Sequence, residues 1–116
     1  MADAERVICA GDALAERGKG VRFTVEYQGE RRGAFAIRYD GKVYAFLNRC
    51  AHAGVELDWI EGEFFDLSKL YLICSTHGAT YEPDSGKCVL GPCRGKKLIA
   101  LPVGERGGEI ILMTKG

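Results

Sequence analysis

The chain has 116 residues, with 16 basic and 16 acidic side chains, a formal net charge of zero and 47% hydrophobic residues. That length suits one domain with a single core, and the apolar and aromatic content excludes a disordered chain. Zero net charge gives no general attraction to nucleic acid or to an anionic membrane, so neither is an expected partner.

Taken in chain order, residues 4–10 read as a strand, and residues 12–17 as a brief helical turn with Asp12 near its start. Val21, Phe23, Val25 and Tyr27 then alternate with polar residues, the period of a half-buried strand. Phe35, Ile37 and Tyr39 repeat the pattern, and Val43, Ala45 and Leu47 resume it beyond Asp40-Gly41. Asp-Gly between two such runs predicts a tight hairpin, because the turn needs positive φ at both central residues. Further strands are expected over 70–74, 80–82, 98–103 and 109–114. The 16 glycines fit a chain of many turns. Two stretches lack alternation. Residues 48–68 contain Gly54, Gly62 and the acidic set Glu56, Asp58, Glu61, Glu63 and Asp66, and residues 83–95 contain Gly86, Gly91, Pro92 and Gly95. Loops this long in a small domain usually carry function. The expected architecture is all-β, residues 1–116 as one domain of small antiparallel sheets, with both loops at one end.

The N-terminus carries Asp3, Glu5 and Arg6 and lacks a signal peptide's apolar run, and no stretch approaches the ~20 apolar residues of a spanning helix. A cytoplasmic location is the expectation. There, clustered cysteines more often bind metal or do redox work than form disulfides, and an odd total of five fits a fully paired framework poorly.

Cys50 and His52 form C-x-H, and Cys74 and His77 form C-x-x-H. The two pairs use every histidine in the chain. Such spacing lets one loop present a thiolate and an imidazole to the same centre, while Gly54 and Gly78 let the backbone curl around a bulky group. Three accounts are open at this level. Buried thiols with two surface histidines are one, a structural zinc site with two Cys and two His is another, and a [2Fe–2S] cluster with two Cys on one iron and two His on the other is the third.

The chain resembles the Rieske-type [2Fe–2S] ferredoxins. Their signature C-x-H…C-x-x-H is matched by Cys50, His52, Cys74 and His77, and the similarity continues through Gly78, Tyr81, Gly86 and Gly91-Pro92. It covers residues 5–114. The resemblance implies one [2Fe–2S] cluster per chain, held in a subdomain formed by two loops, about 48–68 and 74–95. Cys50 and Cys74 would ligate one iron, and His52 and His77 the outer one. The loop around Pro92 would cover the cluster. Two ferric ions, two sulfides and two thiolates sum formally to about zero, against about −2 with four thiolates, so the cluster is more easily reduced.

The family's high-potential members carry two further cysteines that clamp the loops together. Here those positions are Val55 and Thr76, and a serine that donates to a bridging sulfide is replaced by Ala79. Tyr81 matches a tyrosine that can donate to a ligand sulfur. Donors to the sulfurs raise the potential. A value in the lower part of the family's range of about −150 to +300 mV is therefore expected. Cys9 reads as a small core hydrophobe, and Cys88 and Cys93 as thiols packed beneath the loops rather than as a disulfide.

The implied role is a soluble electron carrier, not an enzyme, passing single electrons from a reductase to an oxygenase or similar terminal enzyme. A mononuclear iron site would need two more histidines and a carboxylate, and no G-x-G-x-x-G loop is present for a nicotinamide or flavin. The alternatives are a small Rieske subunit of an assimilatory, nitrite-reductase-type enzyme and, from another class, a zinc-stabilised binding module. The acidic set and the basic residues Arg94, Lys96 and Lys97 read either as two ordinary solvated loops or as a two-signed rim for partner docking.

Overall fold

Ten strands and one 3₁₀ turn make up a computed structural model that describes residues 4–49, 56–58, 60–74, 78–91 and 95–114. They are β1 Ala4–Ala10, β2 Val21–Tyr27, β3 Glu30–Tyr39, β4 Lys42–Leu47, β5 Leu72–Ile73, β6 Thr80–Tyr81, β7 Cys88–Leu90, β8 Ala100–Leu101, β9 Val103–Arg106 and β10 Glu109–Thr114. Three sheets result, ordered β1-β10-β9, β2-β3-β4-β8 and β5-β6-β7, and every strand pair in them is antiparallel. No helix among the described residues is long and apolar enough to cross a membrane.

The expected hairpin forms as the chemistry requires. Asp40 and Gly41 have φ of 54° and 78°, the pairing of a type I′ turn, and Gln28-Gly29 (52° and 78°) makes a second one between β2 and β3. The strand expected over 98–103 is divided instead. Pro102 has no N–H to donate, so β8 ends before it in the four-stranded sheet and β9 begins after it in the β1 sheet. Strand β7, inside a stretch read as irregular, is too short to show alternation. The helical turn expected over 12–17 shrinks to Gly11–Ala13. Arg38 reaches from β3 to the carbonyls of Leu14 (2.7 Å) and Gly11 (3.0 Å), satisfying them without a continuing helix.

Strands β3 and β4 are buried on both faces, whereas alternation alone implied one. Phe35, Ile37 and Phe46 face the β5-β6-β7 subdomain, joined there by Leu57, Phe64, Leu72, Tyr81 and Leu98. Phe35 and Phe64 stack with ring centroids 3.9 Å apart. The opposite face is lined by Ala34, Ala36, Ala45 and Leu47, which pack against Leu14, Ile110 and Leu112. Small alanines let the β10 layer come close, and the large aromatics on the other side form the platform for the subdomain.

Arg38 also forms a two-bonded pair with Glu105, both contacts at 2.8 Å. That hydrogen bond holds the Glu105 carboxyl below its ordinary 4.5, against the upward pull of burial. Glu16 is lowered as well, chiefly by the Gly41 N–H. A folded-state pKa below the unfolded one contributes stability that is full above the unfolded value and is lost as pH falls through the folded one. Stability should therefore decline from about pH 4.5 downward. Glu105→Gln should flatten that decline, as read by thermal melts across pH 3–6.

Candidate metal centre

The first loop leaves β4 at Leu47, and its base is tied by a buried polar clasp. The Asn48 N–H donates to the Gly33 carbonyl at 2.9 Å, fixing the loop's start to β3. The Asn48 side chain then reaches across the loop. Its Oδ1 accepts the Leu57 N–H (2.9 Å), and its Nδ2 donates to Asp58 Oδ1 (2.9 Å). Asp58 Oδ2 in turn accepts the Gly62 N–H at 2.9 Å. Asn48 and Asp58 are both buried, so each of these bonds replaces lost water contacts. From the β2 side, Arg22 meets Glu56 (2.6 Å), Asp58 (3.6 Å) and Glu61 (3.7 Å). The loop that carries Cys50, His52 and Gly54 therefore starts and ends on fixed points, although those three residues lie outside the described ones.

The second loop is closed at its own base. The Cys74 N–H donates to the Ala79 carbonyl, and the Gly78 N–H donates to the Cys74 carbonyl, both at 2.8 Å. The Thr80 hydroxyl adds a bond to the Gly78 carbonyl at 3.0 Å. Gly78 has φ +74°, and a Cβ there would meet nothing within 4 Å among the described residues, so glycine answers a conformational need. Gly91, just after β7, is different. A Cβ there would lie 3.1 Å from Ala79 Cα and from the Gly78 carbonyl oxygen, so the backbone at Gly91 lies directly against the Gly78–Ala79 turn. Cys74, Ala79 and Tyr81 are fully buried beside these contacts. His77 and Pro92 lie outside the described residues.

Cys74, buried at the base of this closed loop with its carbonyl bonded to the Gly78 N–H, is a residue type that suits a metal thiolate. The donor set fits an iron–sulfur group. Among the described residues no three Cys, His, Asp or Glu side chains gather to hold a metal.

Two sequence-level readings need revision. The acidic side of the expected rim is partly spent internally: Asp58 is buried in the clasp, and Glu56 and Glu61 converge on Arg22. Cys88 packs into the core as expected, but it is disulfide-bonded. Asn48 and Arg22 carried no sequence signal of their own, beyond an Asn standing directly between a strand end and a Cys-containing loop. Cys9 conforms to expectation: it packs against Leu14, Ala36 and Ile110, and burial raises its thiol pKa.

With this geometry, the chain matches the Rieske [2Fe–2S] domain family over residues 5–104. The chain belongs to this family. A Rieske domain binds a [2Fe–2S] cluster, which sets aside the zinc-stabilised module. Among solved structures, the Rieske chain is similar to the ferredoxin of carbazole 1,9a-dioxygenase from Nocardioides aromaticivorans IC177. The identity is 25% and the TM-score 0.70, covering 97% of this chain and 99% of that one. The Sphingomonas yanoikuyae B1 ferredoxin shares the fold at TM-score 0.73 and 18% identity, over 97% of this chain and 100% of that one. The terminal oxygenase of carbazole 1,9a-dioxygenase from Novosphingobium sp. KA1 is 29% identical, with a TM-score of 0.72 over 97% of this chain. The chain spans only 30% of that oxygenase's length. No curated protein matches the chain. Ferredoxins are electron-transfer proteins rather than enzymes, and this Rieske chain shares their all-β fold of small antiparallel sheets.

Proposed function

We propose that this Rieske protein is a one-electron carrier that takes electrons from a reductase and passes them to a terminal oxygenase or similar enzyme. The observation that carries the proposal is the Rieske family match over residues 5–104, together with the fold shared with a dioxygenase ferredoxin at 25% identity and a TM-score of 0.70. Residues 1–116 are read as a single domain, with cluster loops about 48–68 and 74–95. Cys50 and Cys74 would hold one iron, and His52 and His77 the other, with Gly54, Gly78, Tyr81 and Pro92 around them. The cluster, when bound, supplies a centre that accepts and releases one electron at raised potential. The chain's own residues hold the loop bases still, through Asn48, Asp58 and the Cys74–Ala79 bond, so little reorganisation accompanies transfer. Buried Ala79 and Tyr81 keep water from the inner side.

The purified protein should be brown-red, show a Rieske-type spectrum and consume one electron per chain in a dithionite titration. It should then pass that electron to an oxygenase component. A colourless protein holding stoichiometric zinc would overturn the proposal.

Ala79 offers a graded test of the same reading. A hydroxyl placed there as a donor to a charged sulfur is worth ~1.5 kcal/mol, which is about 65 mV for a one-electron couple. Ala79→Ser should raise the potential by that order and Tyr81→Phe should lower it, both read by protein-film voltammetry.

We also propose a cytoplasmic location, in which the Cys88 disulfide is unusual because cytosolic thiols are kept reduced. We propose Cys93, five residues further along the chain, as the partner of Cys88. Non-reducing peptide mapping of the purified protein is expected to recover a Cys88–Cys93 linkage.

A further inference from the structure

An open recess of about 380 Å³ lies at the root of the first loop, lined by Arg31, Arg32, Gly33, Asn48, Arg49 and Glu56. Its charges are unbalanced. Arg31 and Arg49 are exposed, and neither has a carboxylate within 4 Å among the described residues. Glu26 stands opposite Arg31 in the β2–β3 register without forming an ion pair. Arg32 is paired with Glu30 at 3.0 Å, but its Nε is buried with no hydrogen-bond partner among the described residues. The one acid in the wall, Glu56, is held by Arg22 at 2.6 Å. Three guanidinium groups thus share a concave wall with a single carboxylate that is already engaged. Gly33 leaves the floor open: among the described residues a Cβ there would meet only Glu56 Oε2, at 3.7 Å.

The position matters as much as the charge. The Asn48 N–H to Gly33 carbonyl bond ties the floor of this recess to the base of the loop that carries Cys50. Arg49 directly precedes Cys50 in the chain. A partner seated on the recess is therefore held in a fixed relation to that loop. We infer that the Arg31–Arg32–Arg49 recess docks an acidic surface of a redox partner protein, its carboxylates entering the fork of guanidinium donors. This rests on the electron-carrier reading and deepens it by naming the face and the sign of the partner.

Three properties favour a protein carboxylate cluster as the occupant. Guanidinium groups match carboxylates in two-bonded geometry and lose less hydration than lysine on burial. Transient electron-transfer contacts are small and electrostatically steered, which a patch of three charges provides. The chain's zero net charge gives no attraction to long polyanions as a whole, so the positive potential is local. A second basic recess lies elsewhere, where Lys87 and Lys97 face each other across a β-bridge with Lys96 beside them, and it serves as the internal control.

The test uses the cluster-loaded protein and a hexaglutamate peptide carrying a neutral rhodamine-type label, with binding followed by fluorescence anisotropy. The wild type should bind, and the affinity should fall at least tenfold on raising salt from ~20 to ~200 mM. Arg31→Glu combined with Arg49→Glu should weaken binding tenfold or more, while Lys87→Glu combined with Lys97→Glu should change it by less than twofold. Both arginines are exposed, so the cluster spectrum of the variant should match the wild type. Absence of wild-type binding, equal affinity of the arginine variant, or loss of binding in the lysine variant would overturn the inference. A protein with no cluster spectrum would instead overturn the carrier reading, because peptide binding is read independently of electron transfer.

Discussion

Asp58→Ala should destabilise the protein by about 3–5 kcal/mol and make the first loop unable to keep its cluster, because one side chain completes both ends of the clasp. In the native structure its two oxygens accept from Asn48 Nδ2 and from the Gly62 N–H, each at 2.9 Å, and Arg22 approaches at 3.6 Å. The Asp58 side chain is wholly buried. Removing it takes the acceptor from the Asn48 Nδ2 group and from the Gly62 N–H at a buried position, and leaves an arginine with one fewer counter-charge. That loss is a large part of a typical net stability of 5–15 kcal/mol. Urea unfolding followed by far-ultraviolet circular dichroism measures the first effect, and visible absorbance per chain after purification measures the second. Asp58→Asn keeps an acceptor and should cost about half as much. Equal stability and cluster content in the Asp58→Ala protein would mean that the clasp does not support the loop.

His77→Ala is expected to abolish the cluster spectrum while leaving the β fold largely in place. The proposal gives His77 to the outer iron, where alanine supplies no donor. The core lies elsewhere: Phe35, Ile37, Phe46, Phe64 and Leu72 fill one layer, and Leu14, Ala36, Ala45 and Ile110 another. Far-ultraviolet circular dichroism should change little, and visible and electron paramagnetic resonance signals should vanish. Global unfolding instead would point to a metal that the fold depends on, as in small zinc domains.

The acid-side loss of stability through Glu105 is a smaller effect of a different kind. It concerns the seam between β3 and β9, which lies outside the loops. Cluster content should therefore follow Asp58 and His77 and be indifferent to Glu105→Gln at neutral pH.

Strand positions were legible wherever one face alternates. The turns at Gln28-Gly29 and Asp40-Gly41 show the limit of that reading, since both take the same positive-φ geometry but only the second carries the usual Asp-Gly signature. The two-sided burial of β3 could not be read from Phe35, Ile37 and Tyr39, because alanines at 34 and 36 look neutral until another layer packs on them. Likewise, Asp58 looked like one acid in an exposed series. It is buried because Asn48 and Gly62 give its oxygens partners that no local pattern announces.

The sequence by itself determined the family signature, the strand alternation and the Asp-Gly turn, because each is a relation between residues a few places apart. Only the tertiary structure decided what steadies the loops and where their charges go. Asn48 meets Asp58 across ten residues, Arg22 meets Glu56 across 34, and Gly91 rests on Ala79. Those contacts form because the sheets pack in one particular way, and the free energy of a buried polar pair depends on that packing rather than on spacing in the chain. The acidic stretch thus became an internal tether, and Arg31 and Arg49 at the root of the first loop were left without a carboxylate partner among the described residues.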